Sequence, residues 1–371
     1  MSILIFFIIL LVLVLAHEFG HFFAAKRFGI RVDEFGFGFP PKLFSKKGKE
    51  TEYSFNLLPF GGFVKIFGEN PDEENISGPD RARSMVNKPG WQQAIVLLSG
   101  VLANFILAWL LFSVSLMTGL PASAGSAPRE YKLSNTSLVI VSVLPNSPAE
   151  KSGLSAGDKI LSVKSAQISG KTDELSAVTP ENLKAFILSH KNDKIEIQYK
   201  HGQETPARSV EVIPVSTLLD GTPGIGISMD EIGVIKLSFF PALSAGLKFA
   251  GSTAVSVAEG LYNLITNSLA GRGNLSAVAG PVGLVGIVGE AYRFGLVYLL
   301  SFTALISINL AVLNLVPFPA LDGGRLLFLL IEKIKGSRLN PKFANTANMV
   351  GFALIIILML AVTYHDIVRL L

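Results

Sequence analysis

His17, Glu18 and His21 form an H-E-x-x-H, His17-Glu18-Phe19-Gly20-His21, inside an apolar run. On a helix, residues i and i+4 share one face, so both imidazoles reach one metal ion. Zinc lowers the pKa of a coordinated water to about 7, and a neighbouring carboxylate can take the proton as that water attacks a carbonyl. That is the chemistry of zinc-dependent peptide hydrolysis, with Glu18 as the base. A purely structural His/Glu cluster is the competing reading, but ionisable side chains in hydrocarbon are costly and mark function.

A third ligand must come from elsewhere. The chain has no cysteine, which also excludes disulfides and thiolate nucleophiles. His190 and His201 lie in a polar region, and His365 sits at the far end of the last apolar run. Asp322 is the natural candidate, in Asn314-Leu315-Val316-Pro317-Phe318-Pro319-Ala320-Leu321-Asp322-Gly323-Gly324. Alone, Asp322 reads equally well as a helix cap; paired with the H-E-x-x-H, it favours the ligand. His17 lies roughly 21 Å along a helix from Ile3, about 9 Å short of the inner face of a ~30 Å core. Pro317 and Pro319 break the other helix and hold Asp322 at a similar depth.

The elements that position these residues are membrane spans. Charged residues are 16% of 371, hydrophobic residues 50%, and net charge is +4; this excludes a wholly soluble enzyme and offers no nucleic-acid-binding stripe. The pattern predicts four spans, at 1–25, 91–119, 294–324 and 347–370. Residues 26–90 and the connecting 325–347 loop are rich in Lys and Arg, which puts both in the cytoplasm and the 120–293 segment outside. Residues 236–270 read as an amphipathic surface helix, because Lys248 and Glu259 argue against a fifth span.

Together these motifs resemble the site-2 protease family of intramembrane zinc metalloproteases, of the bacterial regulator-of-sigma-E protease type. Beyond the two metal motifs, the family-like stretches are Phe35-Gly36-Phe37-Gly38, Glu52-Tyr53, Pro59-Phe60-Gly61-Gly62-Phe63-Val64-Lys65, Gly280-Pro281-Val282-Gly283 and Ser307-Ile308-Asn309-Leu310. The resemblance implies that His17, His21 and Asp322 bind zinc and that Glu18 is the catalytic base. It implies a role for Asn314 in holding the substrate backbone or oxyanion, with a plain helix-end hydrogen bond as the alternative.

Val32–Phe39 and Thr51–Ile66 read as short strands, and the resemblance implies a membrane re-entrant β-loop within 26–90. A helical substrate must unwind before water reaches its peptide bonds, and a strand edge could take the unwound stretch. Gly61 and Gly62 would permit close backbone approach, unless they mark only a tight turn.

Residues 133–216 form an inserted α+β domain: strands at Leu138–Leu144, Ile160–Val163, Lys194–Lys200 and Ser209–Ile213, a short helix begun by Ser147-Pro148, a helix from Thr179-Pro180 to about His190, and a His201-Gly202 turn. Asn146-Ser147-Pro148-Ala149, Gly153-Leu154 and Gly157-Asp158-Lys159-Ile160 resemble a single bacterial-protease PDZ domain, which implies a peptide or chain-end ligand or a steric filter. Gly170-Lys171-Thr172 lacks the earlier glycine of a phosphate loop.

The expected protein is a polytopic α-helical membrane protein of a bacterial inner membrane. It has four transmembrane helices, a re-entrant β-loop and an extracytoplasmic PDZ-like domain. The expected function is zinc-dependent cleavage of single-span membrane substrates, such as anti-sigma factors or remnant signal peptides, with lipid and not nucleic acid as the surroundings. A membrane-anchored peptidase acting on soluble peptides and an inactive PDZ-bearing scaffold stay open as rivals.

Overall fold

The computed structural model describes all residues except 71–72, 126–129, 167–171, 176–177, 192, 202–205, 220–221, 272–279 and 371. Gly170 and Lys171 of the phosphate-loop lookalike and Gly202 of the expected turn therefore lie outside the described residues. The chain forms two compact units, one of Met1–Val114, Phe240–Tyr292 and Leu299–Leu371, the other of Ser115–Phe239 and Arg293–Tyr298.

The first unit begins with α1 (Ser2–Arg27), apolar apart from Ser2 and the His17-Glu18 and His21 motif until Lys26 and Arg27 in its last turn, a favourable charge placement at a helix C-terminus. Strands β1 (Val32–Lys47) and β2 (Glu52–Ile66) follow, then a single-turn α2 (Glu73–Ser77) and the long α3 (Gly90–Thr118). β1 runs past the expected Phe39 to Lys47, while β2 nearly matches the expected Thr51–Ile66. Both bend, so residue 36 of β1 pairs with Phe63 on one side and Ser54 on the other, while Phe44 also pairs with Phe55. The two strands thus make four adjacent runs, and the run around Gly62–Lys65 is an outer edge.

In the second unit come β3 (Leu120–Ser123), β4 (Ser134–Val143), α4 (Pro148–Lys151), β5 (Asp158–Ala166), β6 (Thr172–Leu175), α5 (Pro180–Ser189), β7 (Ile195–His201), β8 (Arg208–Val212), β9 (Val215–Leu219), β10 (Thr222–Gly224) and β11 (Ile227–Ile235). The caps form where the sequence suggests: Ser147 Oγ accepts from Glu150 N and Thr179 Oγ1 from Asn182 N. The main sheet runs β3-β11-β4-β5-β7-β8. It therefore recruits β3 and β11 from outside the expected 133–216 limits. β7 alternates buried and exposed residues, and its inward Ile195 and Ile197 join Leu138, Ile140, Leu183 and Phe186 in one apolar core.

The chain returns to the first unit through α6 (Phe239–Leu269), then α7 (Pro281–Arg293), α8 (Leu296–Leu315), α9 (Asp322–Lys335) and α10 (Pro341–Leu370). Among the described residues four helices are long and apolar enough to cross a membrane, α1, α3, α8 and α10. They fall on the four expected spans, although the third helix stops at Leu315, short of the expected limit at 324 and just before the Pro317 and Pro319 that were expected to break it. The 325–347 stretch is not only a loop: its first half belongs to α9, which ends at Gly336 (φ 71°), a left-handed C-terminal stop. One face of α6 lies on α3, with Trp109 Nε1 donating to Leu243 O at 2.8 Å and Ala250 buried beside Ala108 and Phe112. Small residues at such contacts let helix backbones approach without a large apolar driving force.

Candidate metal centre

His17 and His21 lie one turn apart on the face of α1 that packs against α3, and both are buried. His21 Nδ1 is 2.7 Å from Val96 O on α3. That contact places the ring proton on Nδ1, where it donates to the carbonyl, and leaves Nε2 as a bare lone pair. Asp322 arrives from the other side of the sequence as the first residue of α9. The N-cap position is taken by Leu321, so Asp322 sits one residue inside the helix rather than at its cap, and its carboxylate lies against the histidines.

The three ligand atoms make a small triangle. His21 Nε2 to His17 Nε2 is 3.1 Å, His17 Nε2 to Asp322 Oδ2 is 3.1 Å, and His21 Nε2 to Asp322 Oδ2 is 3.4 Å. In a tetrahedral zinc site with bonds of about 2.0–2.2 Å, ligand atoms stand roughly 3.3–3.6 Å apart, slightly wider than this triangle. Asp322 Oδ2 is buried and in no aligned hydrogen bond, and His17 Nδ1 is buried without a partner. Electron-rich atoms this close repel one another unless a cation lies among them. The donor set, two imidazoles and one carboxylate with room for a fourth ligand, fits a catalytic zinc site.

Glu18, the next residue after His17, is half-buried, and its Oε2 accepts from the backbone N–H of Val64 at 3.1 Å. β2 therefore fixes the carboxylate. Val64 directs this N–H away from β1, so Gly62, two residues earlier, presents its backbone on the same edge. Gly61 has φ 98° and packs on Val14, and a methyl on Gly62 would come within 2.7 Å of Gly36 O and 3.0 Å of Leu15. Both glycines thus let the strand edge lie against α1 beside the turn that carries the motif. Asn314 sits half-buried on the last turn of α8, outside the three-atom cluster.

Two further residues position the site without showing in the sequence pattern. A methyl on Gly100 of α3 would fall 2.8 Å from His17 Cε1 and collide with the His21 ring. A methyl on Gly20, an unspecified position of the motif, would lie 2.7 Å from the Ser99 carbonyl carbon. The two helices can hold the imidazoles between them only because these positions lack a side chain.

The model of peptidase family M50 matches residues 5–358. A Clostridium perfringens relative that carries a provisional zinc metalloprotease name is 34% identical over 357 residues, covering 96% of this chain and 95% of the relative. Zinc metalloprotease RasP of Shouchella clausii is 28% identical over 445 residues, 100% of this chain and 99% of its own. The PDZ domain of the SdrC-like protein from Listeria monocytogenes is 26% identical, with 26% of this chain and 92% of that domain covered and a TM-score of 0.21. With a family match over nearly its whole length, the chain belongs to peptidase family M50, the site-2 protease family of zinc metalloproteases.

Proposed function

We propose that the protein is an intramembrane zinc endopeptidase that cuts transmembrane segments of single-span membrane proteins. The observation that carries this reading is the convergence of His17 and His21, on the span-length apolar helix α1, with Asp322, the first residue of α9 just after the span-length α8, and with Glu18 beside them. These three residues would hold the zinc. Bound there, zinc supplies Lewis acidity toward water and a peptide carbonyl. Glu18 takes a proton from the attacking water and returns it to the departing amine, while the Val64 N–H keeps its carboxylate in place. Asn314 is the candidate for holding the substrate backbone or oxyanion.

The outer edge at Gly62–Lys65 supports capture of the substrate as an added strand, because its backbone groups face away from β1 and next to Glu18. Exposed Phe39, Leu43, Phe44, Phe55 and Leu57 at the far end of the hairpin suit a re-entrant loop bathed in lipid. In the second unit, a groove of about 600 Å³ between α5 and the 223–229 run, lined by Lys184, Ile187, Leu188, Ile225 and Ile227, suits an extended peptide or chain end. We assign this PDZ-like unit to the outside of a bacterial inner membrane, on the Lys/Arg bias of the opposite segments. Anti-sigma factors and remnant signal peptides match the substrate class implied by the family likeness, and nucleic acid is not a partner.

The test is cleavage of a single-span substrate in proteoliposomes, with the cut mapped by mass spectrometry. The reading expects a cut inside the span, lost in Glu18→Gln and reduced in Gly61→Val. Cleavage of soluble peptides alone would favour the membrane-anchored peptidase, and normal cleavage by Gly61→Val would remove the capture role.

A further inference from the structure

Asp322 is held at the end of an irregular turn, and the turn itself needs an explanation. After α8 ends at Leu315, the chain runs through Val316–Leu321 before α9 begins. Within it Ala320 has φ 78°. The described residues include only two other non-glycine residues with positive φ, Asn135 and Asn146, and asparagine tolerates that region through its own side chain. Alanine has no such relief, so an outside contact must hold it.

α10 supplies the contact. Asn348 Oδ1 accepts a hydrogen bond from Ala320 N at 3.1 Å. Gly351, three residues on and so on the same face of α10, lies close enough that a methyl there would stand 2.8 Å from the Pro319 carbonyl carbon. The helix backbone is therefore seated on the turn. Only Leu321 separates Ala320 from Asp322, so a change of backbone angle at Ala320 swings the carboxylate away from His17 and His21.

We propose that Asn348 is a positioning residue of the metal centre: by holding Ala320 in the left-handed conformation, it fixes Asp322 at the distance the two histidines require. This rests on the reading of Asp322 as a metal ligand. Asn348 touches neither metal nor substrate. It acts through one backbone hydrogen bond, from a helix that contributes no ligand.

Zinc affinity of the purified full chain in detergent, measured by competition with a chromogenic chelator, tests this without recourse to activity. Asn348→Ala and Asn348→Leu remove the acceptor, the second while keeping the side-chain bulk. Both should bind zinc about tenfold more weakly than wild type, the scale expected when an outer-shell hydrogen bond is lost. Ala320→Gly removes the cost of positive φ. In that background Asn348→Ala should therefore cost much less than tenfold. Wild-type affinity in Asn348→Ala and Asn348→Leu, alongside loss of zinc in Asp322→Ala, would overturn the proposal and leave the metal reading intact. A loss that Ala320→Gly does not relieve would assign Asn348 to helix packing and also overturn it. Zinc retained by Asp322→Ala would overturn the metal reading, and the proposal with it.

Discussion

Both units contain histidines next to an aspartate, and only one arrangement is a candidate site. In the second unit, His201 Nδ1 meets Asp158 Oδ1 at 2.6 Å, and the other oxygen of Asp158 accepts from Ser155 N at 2.8 Å. His190 Nδ1 lies 2.9 Å from Phe186 O, one turn back on its own helix. The first contact ties β7 to β5, the second closes the end of α5, and in each the imidazole Nδ1 has a hydrogen-bond partner. In the first unit, His17, His21 and Asp322 turn their acceptor atoms toward one another, and Asp322 Oδ2 is left unpartnered. A buried polar group without a partner costs about 1–3 kcal/mol, so such a cluster survives where something else completes it. A His–Asp contact is therefore weak evidence of chemistry, whereas convergence of three lone pairs is strong evidence.

The sharpest way to break this contrast is Glu18→Gln. The substitution preserves shape and the Val64 contact but removes the proton acceptor, so turnover should fall about 10³-fold with zinc binding retained. Equal turnover would move the base elsewhere. In the second unit, Leu183 is fully buried in the core. Leu183→Ala should destabilise that unit by about 2–5 kcal/mol, read as faster amide exchange in α5 and β7. An unchanged exchange pattern would mean that the apolar core does not govern this unit's stability.

Gly100→Ala sharpens the comparison on the metal side. The added methyl meets His17 and His21, and zinc affinity should drop by about ten- to a hundredfold. Gly90→Ala, on the same helix with no atom within 4 Å of the new methyl, should leave affinity unchanged. The pair separates local crowding from a general response of α3 to substitution.

The smallest effect concerns Glu50, which lies between β1 and β2, outside the span-length helices, and pairs with Lys26 at the C-terminal end of α1. Burial alone would raise its pKa, but hydrogen bonds from Lys26, Arg83 and the Val32 N–H outweigh that and hold it at about 2, below the ordinary 4.5. A carboxylate whose folded pKa is depressed stabilises the fold above its unfolded pKa and loses that contribution as pH falls toward the folded value. Melting of the wild type should therefore weaken between about pH 4.5 and 2, by about 1 kcal/mol after allowance for partial exposure. Glu50→Gln should show a flatter profile over the same range, and an identical slope would assign the acid sensitivity to other carboxylates.

The sequence revealed the site more fully than the scaffold around it. His17, Glu18, His21 and Asp322 are legible because charge and imidazole are rare in apolar runs, and each has chemistry of its own. Gly100, Gly20 and Asn348 are not, because their roles exist only where two helices meet. The helix α9 is hard to see in the sequence because Arg325, Lys333 and Lys335 give the stretch the look of a charged loop, which masks the apolar face of Leu326, Leu329 and Leu330. β11 fell outside the expected domain limits because its pairing with β3 and β4 joins segments about a hundred residues apart, which no local pattern encodes. Asn314 shows the opposite limit: a family-like residue is easy to find in the sequence, but its place at the end of α8 does not by itself assign it a role.

The central claim is that two motifs three hundred residues apart form one metal centre. The direct measurement is zinc per chain in purified wild type and Asp322→Ala, side by side. The geometry predicts about one zinc in the wild type and its loss in the variant. Zinc retained in the variant would show that Asp322 is not the third ligand, and a wild type that binds none would contradict the metal centre altogether.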